Sequence, residues 1–204
     1  MKKLIYLSPV IILTAMLFPA FKPAGEGYKV GDAAEDFKLK NIDGKMVSLS
    51  DFKDVKGFIV VFTCNHCPYA KAYEDRVIAL DKKYKTLGYP VVAINPNDPA
   101  IVPDDSFEKM KERSKEKGFT FPYLFDEGQH VLAKYGANKT PHVYVLEKTA
   151  NQYHVAYIGA IDDNHEDAKA VKEKYVENAV NALLAGKKPN PDFTKAIGCS
   201  IKKK

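Results

Sequence analysis

An α/β fold is predicted by three observations. Phe58-Ile59-Val60-Val61-Phe62-Thr63 is a continuous apolar run, the pattern of a strand buried on both faces of a sheet. Tyr69, Tyr73, Val77, Leu80, Tyr84 and Leu87 then recur at spacings of three and four, with Lys71, Glu74, Asp75, Lys82 and Lys83 between them, which predicts an amphipathic helix ended by Gly88. Val91-Val92-Ala93-Ile94 supplies a second buried strand, so strand, helix and strand follow in the order of a right-handed parallel unit.

The other elements flank this unit. Upstream, Phe37-Lys38-Leu39-Lys40 and Met46-Val47-Ser48-Leu49 form a hairpin around Asn41-Ile42-Asp43-Gly44, whose Asp-Gly supplies the turn. Downstream, Asp104, Asp105 and Ser106 can cap a helix running to Gly118, and a shorter helix is expected over residues 129–135. Thr140-Pro141 introduces the strand Val143-Tyr144-Val145-Leu146, which turns at residues 148–151 into the alternating Tyr153, Val155 and Tyr157. Val171, Tyr175, Val176, Ala179, Leu183 and Leu184 mark a final helix, and the tail from Gly186, with Pro189 and Pro191, reads as loop.

With 204 residues and 46% hydrophobic composition, the chain can bury one sizeable core. The net charge of +5 is terminal: without Lys2, Lys3, Lys202, Lys203 and Lys204, 26 basic residues face 26 acidic ones. A neutral body has no basic stripe for nucleic acid. Lys2 and Lys3 precede a largely apolar run over residues 4–18, which has the charge and length of a secretory signal and is short for a membrane span. The expected organisation is a signal peptide or anchor at 1–24, a domain at 28–186 and a C-terminal tail at 187–204. Export to a periplasmic or other extracytoplasmic space follows, with membrane contact only through an uncleaved anchor. Such a compartment is oxidising, and disulfides persist in it.

Cys64-Asn65-His66-Cys67 follows the central strand directly. A strand that delivers Cys64 to the first turn of a helix surrounds that sulfur with unpaired N–H groups and the positive end of the helix dipole, which favours thiolate. A downward pKa shift of two units would amount to about 2.7 kcal/mol. Cys67, one turn inward, is positioned to attack a mixed disulfide on Cys64, and Pro68 has no donor to lose in that turn. His66 can donate to the Cys64 thiolate and so make the disulfide a better oxidant, while Asn65 adds polarity without charge. A zinc site is not expected, because zinc wants four ligands and only Cys199 with a histidine could complete them. A purely structural disulfide here would close too short a loop to stabilise much.

The Cys64/Cys67 pair between strand and helix, followed some 75 residues later by Thr140-Pro141 before a strand, resembles the thioredoxin superfamily, specifically its redoxin and peroxiredoxin-like branch. The likeness covers roughly residues 28–184. It implies a thioredoxin-like fold with a central mixed sheet flanked by helices and an N-terminal hairpin extension. It also implies a redox-active disulfide with no other cofactor, exchange with protein thiols or disulfides, and an unidentified redox donor or acceptor. By the same resemblance Pro141 is cis and stands beside the cysteines, and the Thr140 backbone is available to hold an extended substrate segment.

The chain departs from both parent patterns. The strand under the cysteines lacks the usual thioredoxin acid, which leaves Glu74, Asp75 and His142 as proton-transfer candidates. Three residues before Cys67, where peroxiredoxins carry a threonine, stands Cys64, and the expected arginine position falls near Thr140. Three readings therefore stay open: thiol-disulfide oxidoreductase, peroxiredoxin-like peroxidase, and non-catalytic binding or metal-handling module. Cys199 makes the cysteine count odd and is either a passive thiol or a third participant in the site. The segment from Gly186 reaches up to about 43 Å when extended, so contact with Cys64 is within reach. The Gly198-Cys199-Ser200-Ile201 ending resembles endings in the peroxiredoxin-like bacterial proteins.

Overall fold

The computed structural model describes residues 27–204, so the signal peptide or anchor read in residues 1–24 lies outside the described residues. An eight-stranded sheet runs in the order β1 (Ala33–Ala34), β9 (Gln152–Gly159), β8 (His142–Thr149), β4 (Gly57–Phe62), β5 (Val91–Asn95), β6 (Tyr123–Phe125), β2 (Lys38–Asn41), β3 (Met46–Ser48). Strands β4, β5 and β6 are parallel and every other neighbour is antiparallel, so the sheet is mixed. The N-terminal hairpin is the far edge of this sheet, joined to it through β2 and β6.

Alternate residues of β4 point to opposite faces and feed two cores. Ile59 and Val61 pack with Tyr73, Val77 and Leu80 of α1 (Pro68–Tyr84), Met110 of α2 (Phe107–Lys117) and Val176 and Val180 of α4 (Tyr175–Leu184). Phe58, Val60 and Phe62 pack on the other face with Phe37, Leu49, and Leu132 and Tyr135 of α3 (His130–Tyr135). All six β4 residues are buried, as their unbroken apolar run requires. Helix α1 has Cys67 at its N-cap, Pro68 at its first position and Lys82 and Lys83 in its last turn, where cations suit the dipole. A short 3-10 turn at Lys85–Leu87 follows, and Gly88 closes it at φ 93°, a conformation that favours glycine.

Three sequence expectations about the helices change. Leu87 is not part of the core but an exposed residue of the 3-10 turn. The helix expected to be capped by Asp104 and Asp105 begins at Phe107, because Pro103–Asp105 forms a separate 3-10 turn that sends Asp105 inward. Val171 precedes the last helix, whose start is delayed to Tyr175. Upstream of it the Glu173 carbonyl accepts from the Asp163 amide, so this stretch of backbone is committed to a loop.

The tail is more than loop. Its Cys199–Ser200 strand, β10, pairs antiparallel with β7 (Lys139–Thr140). Upstream, the Thr194 amide donates to the Ile158 carbonyl at 2.9 Å, and Thr194 Oγ1 accepts from the Ala160 amide at 3.0 Å. Downstream, Ile201 is buried in the second core, and the Lys202 amide donates to Asn97 Oδ1 at 2.8 Å. Burying Ile201 alone contributes about 2 kcal/mol toward ordering the tail.

Candidate active site

Strand β4 ends at Phe62, and residues 64–67 cross from the sheet to α1 over a buried carboxylate. Asp105 Oδ1 accepts from the Asn65 amide at 2.7 Å and the His66 amide at 3.1 Å. Its Oδ2 accepts from Asn97 Nδ2 at 2.7 Å and from His66 Nδ1 at 2.5 Å. Asn65 is buried as a latch, its Nδ2 donating to the Asp104 carbonyl and its Oδ1 accepting from the Tyr123 hydroxyl at 2.9 Å. The loop is thus fixed from below by groups in the segment that follows β5 and by Tyr123 at the start of β6.

The two sulfurs converge on one residue. Cys64 Sγ lies 3.2 Å from Thr140 Oγ1, and Cys67 Sγ lies 3.3 Å from the Thr140 carbonyl, to which it donates when protonated. The Thr140–Pro141 bond is cis. Cys64 and Cys67 are 2% and 0% exposed, so neither thiol faces open solvent.

The thiolate expected on Cys64 is instead favoured on Cys67. Helix α1 starts one residue after Cys67, so Cys67 occupies the N-cap, where the helix dipole favours negative charge, while Cys64 lies three residues upstream. Hydrogen bonds from the Cys64 thiol, the Cys199 thiol and the amides of Ala70 and Cys199 hold the Cys67 thiol down at about 4, against the opposing effect of burial. The Cys64 thiol is pushed up by its hydrogen bond to Cys67, by burial and by the Asp105 charge, with Thr140 acting weakly against them. The reduced pair therefore favours one thiolate, on Cys67, beside one thiol, on Cys64.

His66 does not direct its Nδ1 at Cys64, as expected, but at Asp105. The proton-transfer candidates fare no better. Glu74 is held by Arg113 at 2.6 and 2.8 Å, Asp75 is a surface partner of Lys117, and His142 is buried with Nδ1 unpartnered among the described residues. Asp105 is the site residue that the sequence pattern, which fits a helix cap at this position, does not reveal. The available signal was its place in the loop after a parallel strand, at the sheet end where open α/β folds build their sites. Cys64, His66 and Asp105 also bring one potential metal-ligand atom each within 4.8 Å of one another, a trio invisible without Asp105.

The Thr140 backbone is not open to a substrate segment as expected, because Cys199 already pairs with it. Cys199 packs with Cys64, Cys67 and Ala70, so the structure gathers all three cysteines.

A curled mixed sheet with helices on both faces and a pair of cysteines at the start of α1 defines a thioredoxin-superfamily thiol-disulfide oxidoreductase. The chain belongs to the AhpC/TSA family, which it matches over residues 30–157. It is 30% identical over 145 residues to the thiol-disulfide oxidoreductase ResA of Oceanobacillus iheyensis, covering 68% of this chain and 71% of that one. A conserved protein of Geobacillus kaustophilus of known structure superposes with a TM-score of 0.78 at 38% identity, over 86% of this chain and 93% of its own. The exposed lipoprotein thioredoxin of Streptococcus pneumoniae shares the fold at 21% identity and a TM-score of 0.52, over 65% of this chain and 93% of that one.

Proposed function

We propose that Cys64 and Cys67 are the redox-active dithiol of an exported enzyme that exchanges disulfides with protein thiols. The observation that carries this reading is the convergence of both sulfurs on Thr140 within one buried cluster. Cys67 is the thiolate that attacks a partner disulfide, and Cys64 is the thiol that then displaces the partner and closes the intramolecular bond. In the reverse direction a partner thiolate attacks the pair and Cys67 leaves, as the sulfur of lower pKa leaves faster. Asn65 and His66 act through Asp105 by holding the loop, and no cofactor beyond the disulfide itself enters the cycle. Export is supported by Lys2 and Lys3 ahead of the apolar run. Among the described residues no helix is long and apolar enough to cross a membrane.

Stabilising the Cys67 thiolate favours the dithiol over the disulfide, with about 30 mV gained for each 1.4 kcal/mol. The proposed direction is therefore oxidation of partners. A titration in glutathione buffers is expected to give a midpoint nearer the about −120 mV of strong oxidants than the about −270 mV of thioredoxins. Insulin reduction assayed beside it should vanish in Cys67→Ser, and full exchange activity in that variant overturns the reading.

Peroxide reduction, which the AhpC/TSA match keeps in view, lacks an arginine at the sulfurs among the described residues: Arg76 is committed to Asp162 and Arg113 to Glu74. Metal handling draws on the Cys64, His66 and Asp105 trio, and metal analysis of the reduced protein tests it.

A further inference from the structure

We propose that Cys199 is a third redox thiol, carried on a tail strand that occupies the place of an extended substrate and relays the disulfide between the buried pair and a partner. The inference rests on the dithiol reading of Cys64 and Cys67. Strand β10 sets Cys199 opposite Thr140 and Ser200 opposite Lys139. Thr140 is the residue whose hydroxyl meets Cys64 and whose carbonyl meets Cys67, so whatever residue lies across from it is delivered to both sulfurs. Addition of an extended segment along a strand edge is a general mode of peptide recognition, with backbone pairing setting which side chain enters the site. Here the chain supplies that segment itself, and the side chain delivered is a thiol.

The tail is built to stay there. Thr194 ties it to Ile158 and Ala160 on one side of Cys199, and on the other Ile201 is buried and Lys202 bonds to Asn97 and Gln129. Gly198 permits the approach, since a Cβ there would stand 2.1 Å from the Thr140 carbonyl oxygen. Cys199 packs against the cluster of Cys64, Cys67 and Ala70, yet it remains half-buried where Cys64 and Cys67 are closed off. Of the three cysteines it is the most exposed.

The step is a thiol-disulfide exchange without net change in oxidation level. In the oxidised protein the Cys199 thiolate attacks Cys67 Sγ, the Cys67–Cys199 bond forms, the Cys64–Cys67 bond breaks, and Cys64 leaves as a thiolate that takes up the proton Cys199 gave. A thiolate of a protein dithiol then attacks Cys199 Sγ and releases the Cys67 thiolate, the best leaving group of the three. The partner's second thiol closes its own disulfide and frees Cys199, so the partner loses two electrons and the enzyme ends with three reduced cysteines. Burial and its contact with Cys67 push the Cys199 thiol up, so at rest it is protonated.

Oxidation of Cys64→Ser with diamide tests the geometry. The expected product is a monomer with a Cys67–Cys199 linked peptide in mass mapping. Two alkylatable thiols, or only intermolecular dimers, overturn the relay. Cys199→Ser is expected to keep the Cys64–Cys67 disulfide while its rate of oxidising a reduced, unfolded protein dithiol falls about tenfold or more; an unchanged rate overturns the relay, leaving the dithiol reading standing. A Cys199→Ser protein that forms no Cys64–Cys67 bond would sink the dithiol reading itself. If Cys64→Ser does not fold, mapping of partly oxidised wild-type protein takes its place, with a Cys67–Cys199 peptide expected and its absence at every stage of oxidation overturning the relay.

Discussion

Asp105 Oδ2 lies 2.5 Å from His66 Nδ1, and the same carboxylate also holds the amides of Asn65 and His66. A single buried acid therefore shapes the loop between the two cysteines, although it comes from the far side of β5. Replacing it with alanine leaves two buried amides and the Asn97 side-chain amide without an acceptor. Asp105→Ala is expected to cost about 3 to 5 kcal/mol in urea unfolding. Asp105→Asn keeps an acceptor oxygen for the two amides and is expected to cost about 1 to 2 kcal/mol. A loss below about 1 kcal/mol in the alanine variant would remove Asp105 from the account of the site.

Cys64 is the largest cause of the low Cys67 pKa. In Cys64→Ala that hydrogen bond is gone, while the amides of Ala70 and Cys199 remain. The midpoint of thiolate absorbance is expected to rise above that of the wild type by about one to two pH units, the worth of one hydrogen bond to a charged group. If the midpoint stays put, the helix terminus and the tail alone stabilise the anion.

Much of this architecture was legible in sequence because local pattern and tertiary role agree. The apolar run of β4, the spacing of Tyr73, Val77, Leu80 and Tyr84, and the alternation of β9 each report burial directly. The cysteine pair and Thr140-Pro141 were legible as chemistry. What was not legible depends on long-range approach: Asp105 reaches residues about 40 positions earlier, and Cys199 reaches Thr140 across 59 positions. Periodicity carries no information about such pairs. Which of the two sulfurs holds the thiolate depends on contacts from Cys199 and Ala70 and on a helix start one residue after Cys67, and helix boundaries are the least certain feature of a sequence pattern.

His142 is buried on the other side of Pro141, and burial pushes its pKa down from 6.5 to about 4. The unfolded chain then binds more protons than the folded one between those two values, so stability rises with pH across that window. It is fully present above about 6.5 and is lost on acidification toward 4. The expected loss is about 3 kcal/mol for complete protonation of the unfolded state. His142→Leu should flatten that part of the stability profile measured by urea unfolding at successive pH values. A variant with the same slope as wild type would mean that other groups govern it.

Gly198 is the narrowest point of the contact between the tail and the site. A Cβ at this position meets the Thr140 carbonyl oxygen at 2.1 Å, its carbon at 2.7 Å and the Pro141 nitrogen at 3.2 Å. Thr140 has no room to retreat, because its side chain and carbonyl already touch both sulfurs and β8 begins two residues later. The two-residue strand β10 has few bonds of its own and is the element that must yield. Gly198→Ala is therefore expected to lift the tail from the cysteines while the cores stay folded, at a cost of about 1 to 2 kcal/mol. Two readouts follow from the lost contacts: Cys199 alkylation should accelerate about tenfold or more, the equivalent of about 1.4 kcal/mol of protection removed, and the Cys67 thiolate midpoint should rise as the Cys199 thiol and amide leave. Unchanged values of both would show that the tail accommodates the methyl in place.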